Sequence, residues 1–139
     1  LPQVKLHVIG SRVPASIRAL ADDGVIVHGY VEDIMPFMDG CRVSVAPLRY
    51  GAGVKGKVNM AMSCGLPVVA TPIAVEGMHV TAGEEVLVAA EAPAFAAAIV
   101  ELYRDEALWQ RLSRQGLANV ERHFSFAAAR AALQRLLAH

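Results

Sequence analysis

Five short apolar runs, each rich in valine, are separated by stretches with helical patterning, and this alternation limits the chain to few architectures. The runs fall at residues 4–9 (VKLHVI), 25–28 (VIVH), 42–46 (RVSVA), 67–70 (PVVA) and 86–89 (VLVA). Runs of this length that are apolar on both alternating positions suit strands covered on two faces, as in a parallel sheet built from βαβ units. Helices are predicted at 14–22, 31–38 and 54–64, with a small irregular piece at 73–80. Beyond Pro93 the pattern becomes wholly helical. Phe95, Ile99 and Leu102 share one stripe, and Asp105 can cap a helix carrying Leu108 and Leu112, for which Gly116 suits the end. Ser125 can cap a last helix with Leu133, Leu136 and Leu137. The fold class expected is α/β, a Rossmann-like three-layer parallel sheet with helices on both faces and helices at the C-terminus.

The 139 residues and 55% apolar content suffice for one globular domain, 1–139, with a substantial core. Thirteen basic and thirteen acidic residues cancel, so no global field holds the chain to nucleic acid or an anionic membrane. Charge-based recognition has to be local. Cys41 and Cys64 sit in apolar segments without metal-ligand spacing, so free thiols are expected. With no signal-like or bilayer-length apolar run, the reading is a cytoplasmic protein without a transmembrane segment and without a metal site.

The segment 47–58 (PLRYGAGVKGKV) carries the chemistry. An apolar strand delivers the backbone into a glycine turn, and a helix follows. Helix N-termini present unpaired N–H groups and the positive end of the macrodipole, and glycines keep side chains away from an approaching anion. Gly51, Gly53 and Gly56 satisfy the G-x-G-x-x-G dinucleotide pattern, but Pro47 to Tyr50 intervene after the strand and no acidic residue closes the next one. Gly51 to Lys57 also satisfies G-x-x-x-x-G-K. There Val58 replaces the hydroxyl residue that would hold magnesium, which argues against a P-loop.

A longer set of pieces runs in order through the chain: 6–10 (LHVIG), 27–33 (VHGYVED), 43–48 (VSVAPL), 51–57 (GAGVKGK), 61–69 (AMSCGLPVV), Thr71, Glu76-Gly77 and 123–126 (HFSF). In these the sequence resembles the C-terminal, nucleotide-sugar-binding half of group 1 (retaining) glycosyltransferases of the GT-B fold. That resemblance implies an incomplete half of a GT-B enzyme, lacking the first strand–helix unit of its domain and the N-terminal acceptor domain. It implies a nucleoside diphosphate sugar as donor and no separate cofactor, with metal-independent chemistry.

The same resemblance assigns roles. Gly51, Ala52, Gly53 and Val54 face the diphosphate through their amides, Lys57 is the catalytic counter-charge, and Gly29 and Tyr30 border the base; Glu76, following the strand exit through Thr71-Pro72, is itself placed to approach the cleft. Two positions depart from the family pattern, since the glutamates expected at the helix start are here Ala52 and Met60. Met60 cannot accept a bond from a ribose hydroxyl. A charge-assisted hydrogen bond contributes roughly 1.5–3 kcal/mol, so donor binding is expected to weaken by about 10- to 100-fold.

Simpler readings stand beside these. Lys55 reads as a solvated lysine, Met60 and Met62 as core, His7 and His28 as satisfied or edge histidines, and Trp109 as packing. A noncatalytic nucleotide-binding or interaction domain is the alternative function, and an NAD-binding dehydrogenase domain the third.

Overall fold

A computed structural model describes residues 1–138; His139 lies outside the described residues. The chain forms two compact units, Leu1–Phe37 and Met38–His139. Among the described residues strand pairing is parallel, in two sheets, β1(Leu6–Ile9) with β2(Val25–Gly29), and β3(Ser44–Ala46)–β4(Val68–Ala70)–β5(Leu87–Val88). This is the Rossmann-like α/β organisation expected from the valine-rich runs.

In the first unit, β1 and β2 are joined through α1(Ala15–Arg18). That helix is shorter than predicted. Asp22 ends the region by accepting the amides of Gly24 and Val25 on its Oδ1 at 2.8 and 2.7 Å, a side-chain turn that competes with helical hydrogen bonding. His7 and His28 occupy the paired strands with Nδ1 and Nε2 2.9 Å apart, their rings stacked and both set against the Phe37 edge. They satisfy each other. The helix α2(Met35–Gly40), within which the first unit ends and the second begins, starts four residues later than predicted, because Pro36 has no N–H and fits only a first turn. Asp33 Oδ1 accepts the Met35 amide at 2.9 Å.

In the second unit, the strand pleat sends alternate residues to two cores. Val68 and Ala70 of β4 join Ala46, Val58, Ala61, Met62, Ala74 and Met78 on one face. Val69 joins Leu102, Leu108 and Leu112 on the other, with Phe95 and Ile99 packed against them. The first face is covered by α3(Gly56–Ser63), the second by α5(Ala92–Arg104) and the start of α6(Glu106–Phe124). Between β4 and β5 lies the single-turn α4(Pro72–Val75). Each fully buried valine or methionine stabilises the unit by about 1.5–3 kcal/mol relative to exposure.

The sequence pattern is corrected at α6. Asp105 caps it, accepting the Leu108 amide at 2.9 Å, but Gly116 lies in its interior and does not end it. A Cβ at Gly116 would stand 3.2 Å from Met62 Cγ and 3.6 Å from the Glu85 carbonyl. Glycine is there because α6 crosses α3 closely. Further along, α6 turns at Ser125, whose hydroxyl accepts the Ala128 amide, into α7(Phe126–Leu137). Phe126, Leu133, Leu136 and Leu137 of α7 are exposed. Trp109 is a packing residue: its indole N–H donates to the Arg42 carbonyl at 2.7 Å, and the Arg42 guanidinium lies over its ring.

Candidate functional site

The carboxyl ends of β3 and β4 lie side by side, since Ala46 pairs with Ala70. From Ala46 the chain runs through Pro47 and Leu48 into the glycine turn, and from Ala70 it runs into Thr71 and α4. Thr71 ties the two exits together. Its amide donates to the Ala46 carbonyl at 3.2 Å and its hydroxyl to the Leu48 carbonyl at 2.6 Å. The turn is therefore fastened to the carboxyl edge of this sheet, where open α/β folds bind ligands.

A second fastening holds the helix start. The Lys55 amide donates to Met78 Sδ at 3.4 Å, and the Met78 carbonyl accepts from Asn119 Nδ2 of α6 at 2.9 Å. A residue 64 positions further along the chain thus helps to set where α3 begins, with the loop through Met78 as intermediary.

At that start the backbone is left open. Lys55 occupies the N-cap position but supplies no side-chain cap, and no acidic residue stands in the first turn. The Val58 and Asn59 amides return to the Lys55 carbonyl at 3.0 and 3.2 Å. Gly56 and Lys57 supply the earlier amides, which have no intrahelical acceptor. Gly53 has φ +72, a left-handed conformation that glycine adopts without steric penalty. What results is a cluster of N–H groups at the positive pole of α3, with Gly51, Ala52, Gly53 and Val54 all exposed around it.

The side chains sort differently from the sequence reading. Lys57 is exposed in the first turn, free to meet a ligand. Lys55, read as solvated, is only 8% exposed, and its ammonium donates to the Gly53 carbonyl at 2.5 Å. Met62 is buried as expected, but Met60 is 45% exposed. The reason is helical geometry: Met62 shares its face with Val58, whereas Met60 is turned away from the core. Glu76 is exposed just after α4, two residues before Met78. Gly29 and Tyr30, at the carboxyl end of β2, belong to the other unit; Gly29 is buried and Tyr30 exposed. Among the described residues no three His, Cys, Asp or Glu side chains gather as a metal-holding group, and no helix is long and apolar enough to cross a membrane.

Residues 1–105 match the family described as glycosyl transferases group 1. The chain belongs to this family. Curated proteins yield no match, but solved structures of GT-B glycosyltransferases do. The HepE protein of Anabaena, solved in complex with UDP-glucose, superposes with a TM-score of 0.83 at 19% identity, over 99% of this chain and 42% of that one. Sucrose-phosphate synthase from Thermosynechococcus elongatus gives 0.84 at 25% identity, over 99% and 38%. The C-terminal domain of a group 1 glycosyltransferase from Francisella tularensis gives 0.67 at 18%, over 78% and 58%. This group 1 glycosyltransferase chain thus spans less than half the length of the first two.

Thr71, Met78, Asn119 and Lys55 are the residues of the site that pattern reading left without a role. Thr71 and the Glu76-Gly77 pair before Met78 lay within the resembling pieces, which was a usable signal. Nothing in the sequence pointed to Asn119.

Proposed function

We propose that this chain is the C-terminal, donor-binding half of a longer glycosyltransferase that moves a sugar from a nucleoside diphosphate sugar to an acceptor held by a further, N-terminal domain. The observation that carries the reading is the uncapped start of α3, which Met78 holds in place and which is reached by a glycine turn that Thr71 fastens to the carboxyl edge of β3 and β4. Membership in the family and the UDP-glucose complex of HepE support a nucleotide sugar as the ligand.

In this reading the amides of Gly51, Ala52, Gly53 and Val54 receive the diphosphate and Lys57 adds a full charge. Breaking the anomeric bond builds negative charge on the leaving diphosphate. Fixed dipoles and an ammonium aimed there stabilise the transition state more than the ground state. Glu76, exposed just after α4, approaches the cleft. Met60 offers the ribose no anionic acceptor, so donor affinity rests on the diphosphate. The free thiols of Cys41 and Cys64 suit a cytoplasmic setting.

The exposed Met60 favours one second reading, a noncatalytic nucleotide-binding domain that kept the turn and lost the ribose contact. Titration with UDP, GDP, ADP and NAD, followed by backbone amide shifts, tests both. Selective shifts at 51–57 with a nucleoside diphosphate, abolished in Lys57→Ala, are expected. A preference for intact NAD would sink the donor-site reading. Sugar transfer by the chain joined to its N-terminal portion separates the enzyme from the noncatalytic domain.

A further inference from the structure

Lysine is almost never buried without a partner of opposite charge, yet Lys55 is 8% exposed and its ammonium is bonded to a neutral carbonyl, that of Gly53. An ammonium has three N–H donors; the carbonyl takes one. A neutral carbonyl leaves the positive charge uncompensated, and the complement it lacks is an anion.

We propose that Lys55 is a positioning residue of the diphosphate site, its ammonium pinning the glycine turn through the Gly53 carbonyl and keeping an uncompensated positive charge there for the bound diphosphate. The inference rests on the donor-site reading of the turn and adds to it a residue that the sequence pattern gave to solvent.

Three features of the geometry carry it. The stem of Lys55 runs under Gly51, where a Cβ would stand 3.5 Å from Lys55 Cε and 3.9 Å from Nζ. The end of the Lys55 side chain thus packs against Gly51. Nζ draws the Gly53 carbonyl inward, and because C=O and the following N–H point oppositely across a trans peptide, the Val54 amide is turned the other way. Finally, Lys55 is itself the N-cap of α3, so its charge adds to the helix pole in a first turn without acidic residues. Lys57, exposed in the same turn, supplies charge from solvent.

The test separates this role from a structural one. Lys55→Met keeps the length of the stem and removes the charge. Its melting temperature, followed by the fluorescence of Trp109, is expected to equal or exceed that of the parent chain. UDP affinity, read from amide shifts at 51–57, is expected to fall at least tenfold, with the response to uridine unchanged. If Lys55→Met binds UDP like the parent, the inference fails and the donor-site reading stands. A variant that fails to fold, or that loses UDP and uridine alike, makes Lys55 a structural residue and overturns the inference. Absence of any UDP response in the parent chain overturns the donor-site reading and this inference with it.

Discussion

Replacing Thr71 with valine removes one atom of function and keeps nearly the same shape. The hydroxyl donates to the Leu48 carbonyl at 2.6 Å, and Thr71 itself is buried. Losing the bond forfeits about 0.5–1.5 kcal/mol, and leaving a shielded carbonyl unpaired raises the cost toward 1–3 kcal/mol. We take about 1–2 kcal/mol. For a unit of about 100 residues, ~1 kcal/mol lowers the melting temperature by about 4–8 °C. The single tryptophan, Trp109, lies in the same compact unit as Thr71. Its fluorescence therefore reports the unfolding of that unit. Thr71→Val should melt about 5–10 °C lower, and hydrogen exchange at the amides of 51–54 should quicken because the Leu48 carbonyl loses its tie to Thr71 while the amide bond to Ala46 remains. Thr71→Ser keeps the donor and should recover most of the loss. The reasoning is refuted if valine melts within about 1 °C of the parent, or if serine is as damaging as valine.

Other substitutions probe other parts of the argument. Gly116→Val pushes a branched side chain into Met62 and the Glu85 carbonyl and should cost about 2–3 kcal/mol by chemical denaturation; a neutral result would contradict the close crossing of α3 and α6. Asp105→Ala removes the cap on the Leu108 amide and should destabilise by about 1 kcal/mol in the same assay. Met60→Glu places a carboxylate on the exposed face of α3 and should tighten UDP by about tenfold in calorimetric titration. Burial pushes the Cys41 thiol above its ordinary value of 9.0. The folded state therefore favours the protonated form, and this contribution, complete below pH 9, is lost as the pH rises further. The second unit should melt progressively earlier above that pH, and Cys41→Ala should flatten the dependence.

Periodicity and local chemistry accounted for most of the elements. The valine-rich runs became strands because residues apolar on both alternating positions need cover on two faces, and Val68, Val69 and Ala70 face two different cores as that pattern requires. Asp105 and Ser125 cap their helices through bonds to residues only three positions away, so sequence neighbours held the whole signal. Where the reading failed, the deciding contact came from far along the chain. Gly116 looks like a helix end until Met62 is seen beside it. Met60 and Met62 look equivalent until the face of α3 is fixed, and Lys55 looks solvated until its stem lies under Gly51.

Sequence alone determined the α/β class, the glycine turn between a strand and a helix, and the glycosyltransferase resemblance that the family match bears out. These are properties of local spacing and composition. Tertiary structure alone decided that Thr71 ties the turn to the sheet edge, that Asn119 holds Met78 and through it the start of α3, and that one lysine of the turn is buried while the other meets solvent. Burial and long-range hydrogen bonds depend on which segments are brought together in space, and a linear pattern does not carry that information.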